Sequence, residues 1–125
     1  MPRSLILAAA FSTALGPCSV RADVVAGAWV FKQYCAPCHS MKPGTQRYGP
    51  SLDNLMGRQA GMHPGFEYST GLPRSGLIWN GHTLDDWLRN PHAAVSAARM
   101  PFEGLENPTQ RHDVIEFLEH EAAPR

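Results

Sequence analysis

Apolar residues recur at helical spacing in three separated stretches of the chain. Between Asp23 and Tyr34, Val24, Ala28 and Phe31, with Val25 and Trp29 beside them, fall on neighbouring faces of a 3.6-residue period. That pattern predicts a helix, which Cys35 ends. "TLDDWLRNP" predicts a shorter one, with Thr83 as N-cap, Asp85 and Asp86 in the first turn and Pro91 closing it. The best signal is "NPTQRHDVIEFLEHEAA". There Asn107 caps, Pro108 takes the first helical position and Gln110 completes a capping-box spacing. Val114, Ile115, Phe117 and Leu118 are expected to form its buried face. From Ser40 to Gly65, glycine and proline are dense and no period persists, and "YSTGLPRSG" holds one irregular turn of helix at most. No β-branched alternating run signals a strand. The expected fold class is all-α: three main helices joined by long loops.

The first residues stand apart from this pattern. Arg3 precedes an apolar run from Leu5 to Leu15, which is too short to span a bilayer as a helix. Val20 and Ala22 then satisfy the small-residue rule for cleavage before Asp23, so residues 1–22 read as an export signal and 23–125 as one domain. Gly16 and Pro17 argue against a packed helix there, and Pro17 argues against lipidation at Cys18. Removing the leader leaves nine basic and eleven acidic residues, a formal charge of −2. That balance excludes a basic face for nucleic acid and offers nothing to an anionic membrane surface.

Cleavage also removes Cys18 and leaves "CAPCH", residues 35–39, as the only cysteine motif. A single pair in an oxidising compartment cannot staple a domain, and a zinc site would need two further ligands that no second Cys-x-x-Cys or close histidine pair supplies. A dithiol redox site would call for alternating strands and helices around it. So few helices cannot bury enough apolar area to fix so much loop, and a large apolar cofactor would fill the missing interior. Cys-x-x-Cys-His is the attachment signature of c-type haem. On one turn, Cys35 and Cys38 reach two vinyl groups and His39 falls over the iron as proximal ligand. One covalent haem c is therefore expected.

A second axial ligand must come from elsewhere in the chain. Met41 is too near His39 to circle the ring, and Met56 and Met62 read as ordinary loop methionines. Met100 follows a long excursion and is held by Pro101 and Phe102, so it is the expected distal ligand. His63, His82, His92, His112 and His120 each read as solvated side chains.

The blocks "GAWVFKQYCAPCHS", "YGPSLDNLMGRQAGMHPGFEYS", "GLIWNGHTLDDWLRNP" and "RMPFEGL" resemble, in order, successive blocks of class I cytochrome c, of the mitochondrial and bacterial c2 type. The resemblance covers nearly all of residues 23–125 and implies the small cytochrome c fold around one haem. It assigns Cys35, Cys38 and His39 to the attachment motif and Met100 to the distal ligand. Pro50 corresponds to the proline whose carbonyl accepts from the proximal imidazole. Arg58, Tyr68 and Trp79 correspond to residues around the haem propionates, where a carboxylate partly out of water needs donors or a cation. Gly27, Phe31 and Phe117 correspond to the crossing of the first and last helices. Trp87 stands where the family usually has tyrosine, Ala98 where it has a hydroxyl residue and Leu72 where it has asparagine. Lys32 and Lys42 are the only lysines, so the family's lysine ring is nearly absent and steering toward an acidic partner is weakened.

The implied function is a periplasmic, single-haem, one-electron carrier and not an enzyme, because both axial positions are filled by protein. Its redox donor and acceptor would make small, transient contacts near Phe102 and the attachment loop, with the chain a monomer and not inserted in the membrane. Two rivals remain: a dedicated subunit of a periplasmic dehydrogenase, which lysine scarcity favours, and peroxidase or ligand-binding activity on loss of Met100.

Overall fold

The computed structural model describes residue 1 and residues 19–124, with side chains described from residue 23 onward. Most of the expected leader, residues 1–22, lies outside the described residues. Five helices follow one another: α1 (Ser19–Tyr34), α2 (Gly71–Ser75), α3 (Gly81–Arg89), α4 (Pro91–Ala94) and α5 (Pro108–Glu121). Among the described residues the only β-pairing is an isolated antiparallel bridge between Gln59 and Ile78, so the chain is all-α. The three expected helices are α1, α3 and α5. The irregular turn is the five-residue α2, and α4, four residues long, is an addition to the expected set.

The long helices differ from expectation at their edges for identifiable reasons. α1 begins at Ser19, upstream of the expected Asp23, since nothing in Ser-Val-Arg-Ala breaks a helix. Val25 and Trp29 point to solvent, and the buried stripe is Gly27, Val30 and Phe31. In α3 the N-cap is Asn80 and not Thr83. The Asn80 carboxamide accepts from Thr83 N–H at 2.9 Å, and the Thr83 hydroxyl accepts from Asn80 N–H at 3.0 Å. Thr83 thus completes the box from its far side. At α5, Asn107 caps as expected, accepting from the Thr109 and Gln110 N–H groups, and Pro108 opens the helix.

The frame is the crossing of α1 and α5. A Cβ at Gly27 would overlap the Asp113 carbonyl and lie 2.7 Å from Phe117 Cβ, so only glycine lets these backbones approach so closely. Phe31 and Phe117 fill the contact with ring centroids 5.2 Å apart. α5 turns Val114, Ile115 and Leu118 into the core, while Phe117 is half-buried.

α5 also buries Arg111, which periodicity alone would leave in water. Arg111 Nε donates to Asp85 Oδ1 at 2.8 Å, and its Nη1 donates to the Leu105 and Glu106 carbonyls. A buried guanidinium persists only when paired in this way, and the pairing ties α5 to α3 and to the loop before α5.

Candidate functional site

The attachment motif is the direct continuation of α1. Cys35 N–H donates to the Phe31 carbonyl at 2.8 Å, and the Cys38 and His39 N–H groups both donate to the Cys35 carbonyl, at 3.0 and 2.9 Å. One tight turn therefore holds both thiols and the imidazole. The loop behind it is fixed in turn: Gly49 N–H donates to the Cys38 carbonyl at 2.9 Å, and Arg47 Nη1 donates to the Ala36 carbonyl at 3.1 Å.

His39 is held by this loop. Its Nδ1 lies 2.7 Å from the Pro50 carbonyl, which requires the proton on Nδ1 and leaves the lone pair on Nε2. Burial lowers the imidazole from its ordinary value of 6.5, with the Pro50 carbonyl opposing. A neutral ring with a fixed tautomer and an open Nε2 is the form that ligates a metal. Gly49 packs against its face, where a Cβ would come within 2.6 Å of Nδ1.

Cys35 and Cys38 are both free and half-buried. Burial, and then the neighbouring Cys38, pushes the Cys35 thiol up to about 12. A redox dithiol needs the opposite, a nucleophilic cysteine whose thiolate is favoured near neutral pH. Among the described residues no three His, Cys, Asp or Glu side chains gather to hold a metal ion, so the zinc reading finds no ligand set. What the turn does present is a pair of thiols and one imidazole within five consecutive residues. That donor set fits a porphyrin held by two thioethers and one axial nitrogen.

The propionate-side candidates also come together. Arg58 and Trp79 face each other across the isolated bridge, Trp79 N–H donating to the Arg58 carbonyl at 3.0 Å. Arg58 Nη1 donates to the Asp53 carbonyl at 2.7 Å, and Tyr68 oxygen accepts from His63 N–H at 3.3 Å. Burial pushes the Tyr68 phenol up and the Arg58 guanidinium down, and the two groups lie close enough to act on each other electrostatically. Trp79 is buried and meets Trp87 edge-on, with centroids 5.6 Å apart. Trp87, which stands at the family's tyrosine position, therefore packs on Trp79. Ala98 is buried and Leu72 half-buried against the core, so both replacements serve apolar packing.

Met100 is half-buried against the core in the segment after α4, and its carbonyl accepts from Phe102 N–H at 2.9 Å. Of the histidines, His82, His92, His112 and His120 are exposed, as expected. His63 is a correction: it is 7% exposed, with Nε2 2.7 Å from Asp53 Oδ1. Asp53 lies ten residues earlier in an aperiodic loop, and no local pattern links the two.

Fold and site together define a small all-α protein built to hold one covalent haem. No family model matches the chain. Cytochrome c2 of Rhodomicrobium vannielii is 48% identical over 100 residues, 77% of either chain. Cytochrome c2 of Rhodoplanes tepidamans is 40% identical over 97 residues, covering 77% of this chain and 90% of that one. Cytochrome c of Sesamum indicum is 38% identical over 102 residues, covering 81% and 92%. The chain belongs to the class I c-type cytochromes, small haem electron carriers that are not enzymes. Its cofactor is one haem c, with Cys35 and Cys38 in the attachment spacing.

Proposed function

We propose that this cytochrome is an exported, periplasmic, monomeric carrier in which His39 Nε2 and the Met100 thioether are the axial ligands. Residues 1–22 are its leader, cut before Asp23. Among the described residues no helix is long and apolar enough to cross a membrane. The bound haem supplies the one-electron oxidation and reduction.

The chain supplies everything around that chemistry. Cys35 and Cys38 anchor the ring, and Pro50 holds the proton on His39 Nδ1 so that Nε2 stays a donor. Arg58, Tyr68 and Trp79 stabilise the propionate edge. Filling both axial positions with protein leaves no site for substrate, and one thioether ligand favours the reduced state over a bis-histidine arrangement. The observation that carries this reading is the 2.7 Å contact of His39 Nδ1 with the Pro50 carbonyl. With the proton held on Nδ1, the Nε2 lone pair is the one available to a metal, which supports the reading.

Met100→Ala is the test. The variant should keep its haem through denaturing electrophoresis but bind carbon monoxide when reduced, and should lose the thioether charge-transfer band when oxidised. Unchanged ligand binding would remove Met100 from the iron. Intact mass of the secreted protein fixes the cleavage site.

The lysine count favours one second reading, a cytochrome dedicated to a single periplasmic dehydrogenase. Salt-resistant co-purification with a large enzyme would select it, and a freely diffusing transient partner would select the first.

A further inference from the structure

Buried His63 and half-buried Asp53, whose side chains are 6% and 16% exposed, form a titratable pair that the proposed electron-carrying role does not use. The pair sits between the two propionate-side donors. The Asp53 backbone carbonyl accepts from Arg58 Nη1 at 2.7 Å, and the His63 backbone N–H donates to the Tyr68 oxygen at 3.3 Å. The bond between the side chains of Asp53 and His63, at 2.7 Å, therefore bolts the mount of Arg58 to the mount of Tyr68.

The surroundings of the imidazole satisfy it in two protonation states. Nε2 faces the Asp53 carboxylate and donates to it in either state. Nδ1 lies 3.1 Å from Gln46 Nε2, a donor, and 2.9 Å from the Pro64 carbonyl, an acceptor. The Gln46 orientation is set independently, because its Oε1 accepts from Ser51 N–H at 2.8 Å and its Nε2 also donates to the Pro64 carbonyl at 3.1 Å. A neutral ring accepts from Gln46, and a protonated ring donates to Pro64. Protonation therefore exchanges the bond from Gln46 for one to the Pro64 carbonyl, and Gln46 keeps its own bond to that carbonyl.

The charged and titratable groups facing the pair are few. Asp53 meets the ring directly, Arg58 acts on Asp53, and Tyr68 meets the His63 backbone. The Ser51 hydroxyl, with His63 and Arg58, holds the Asp53 carboxyl below its ordinary value, so the carboxylate persists beside the ring. Proton uptake by His63 then changes the net charge of the pair from −1 to zero, next to the residues that anchor the propionate edge.

We propose that His63 and Asp53 are positioning residues for Arg58 and Tyr68, and that His63 takes up a proton when the bound haem is reduced. The inference rests on the assignment of Arg58 and Tyr68 to the propionates. In the balance, the donor protein supplies one electron to the haem iron and solvent supplies one proton to His63 Nδ1. Oxidation returns both. Reduction adds negative charge, which favours the protonated ring, and by linkage the protonated ring favours reduction. The midpoint potential therefore falls as pH rises through the titration of His63.

The experiment measures midpoint potential against pH from 5 to 9 on the intact holo-protein and on His63→Gln, Asp53→Asn and Arg58→Gln. The native protein should show a falling potential, with the His63 ring resonance titrating at a higher pH in the reduced form than in the oxidised form. His63→Gln should abolish that slope. Asp53→Asn, which keeps an acceptor but removes its charge, should move the sloping region to lower pH and is the variant to use if His63→Gln does not fold. A slope unchanged in both variants, or a His63 resonance indifferent to redox state, overturns the inference even where stability drops. If Arg58→Gln also leaves the potential untouched, the propionate assignment fails with it. If Arg58→Gln shifts the potential while the His63 and Asp53 variants keep the native slope, only the present inference fails.

Discussion

On the His39 side of the site, the protein makes its own contacts. The turn closes onto the Cys35 carbonyl, Gly49 presses on the imidazole, and Pro50 fixes its tautomer. On the Met100 side the chain arrives through residues 95–100, whose backbone has a different character. Ala97 sits at φ 60°, a left-handed conformation that L residues with a Cβ disfavour. The segment is tied by the Ser69 hydroxyl donating to the Ala97 carbonyl at 2.9 Å and by the local Met100–Phe102 turn. The His39 side is thus an extension of a helix locked at a crossing. The Met100 side is a loop held by the buried Val95 and Ala98 and by these few bonds.

The largest effect should come from breaking the frame on which the proximal side stands. Gly27→Val places a branched side chain where even a Cβ overlaps the Asp113 carbonyl, and backbone cannot yield without parting α1 from α5. A loss of about 3 kcal/mol or more, or failure to accumulate holo-protein, is expected in denaturant titration. A shift below about 1 kcal/mol would mean that the crossing is not the frame.

Gly49→Ala acts one step nearer the site. The added methyl would meet the His39 ring, so the imidazole must turn and its bond to the Pro50 carbonyl must lengthen. We expect a cost of about 1 to 3 kcal/mol. Haem should stay attached, and proximal-histidine resonances and midpoint potential should both move. Unmoved resonances would show that the proximal side is as adaptable as the distal one.

Much of this frame was legible in the sequence. Asn107 and Pro108 mark the start of α5 by local chemistry, and the Cys35–His39 spacing carries its own geometry. Asn80 and Thr83 are both capping residues three apart, so the pattern contained the α3 box but not which residue led it. The structure uses both, with Asn80 in front. His63 and Arg111 were beyond reach for a different reason. Each is a polar residue whose burial is decided by a partner far along the chain, Asp53 for one and Asp85 with the Leu105 and Glu106 carbonyls for the other. Hydrophobic periodicity records which apolar faces turn inward and is silent about polar groups that follow them in.

Acid should separate these tertiary ties from the local ones. The hydrogen bond from Arg111, with the charges of Arg111 and Arg89, lowers the Asp85 carboxyl from its ordinary 3.8. A depressed folded value means that the unfolded chain binds the proton more readily. The contribution is therefore complete above about pH 4 and is lost as pH falls below it. Asp85→Asn should lower stability at neutral pH by about 1 to 2 kcal/mol, since Arg111 loses its anion and keeps its carbonyls. It should also flatten the decline of stability between about pH 4 and pH 2. An unchanged acid profile would assign that decline to other carboxylates, Asp53 first among them.

The smallest change bears most directly on the distal side. In the left-handed region an L residue costs about 1 to 2 kcal/mol, which glycine avoids. Glycine in turn gives back about 0.5 to 1 kcal/mol through the entropy of the unfolded chain. Ala97→Gly should therefore stabilise the protein by about 0.5 kcal/mol, a rise of roughly 2 to 4 °C in Tm for a domain of this size. Methionine ligation should be unchanged, because the Ser69 bond to the residue-97 carbonyl is made by backbone. A fall of about 1 kcal/mol instead would mean that the holo-protein relaxes Ala97 out of the left-handed region. The Met100 segment would then differ in the holo-protein, and its contrast with the hydrogen-bonded His39 turn would be sharper.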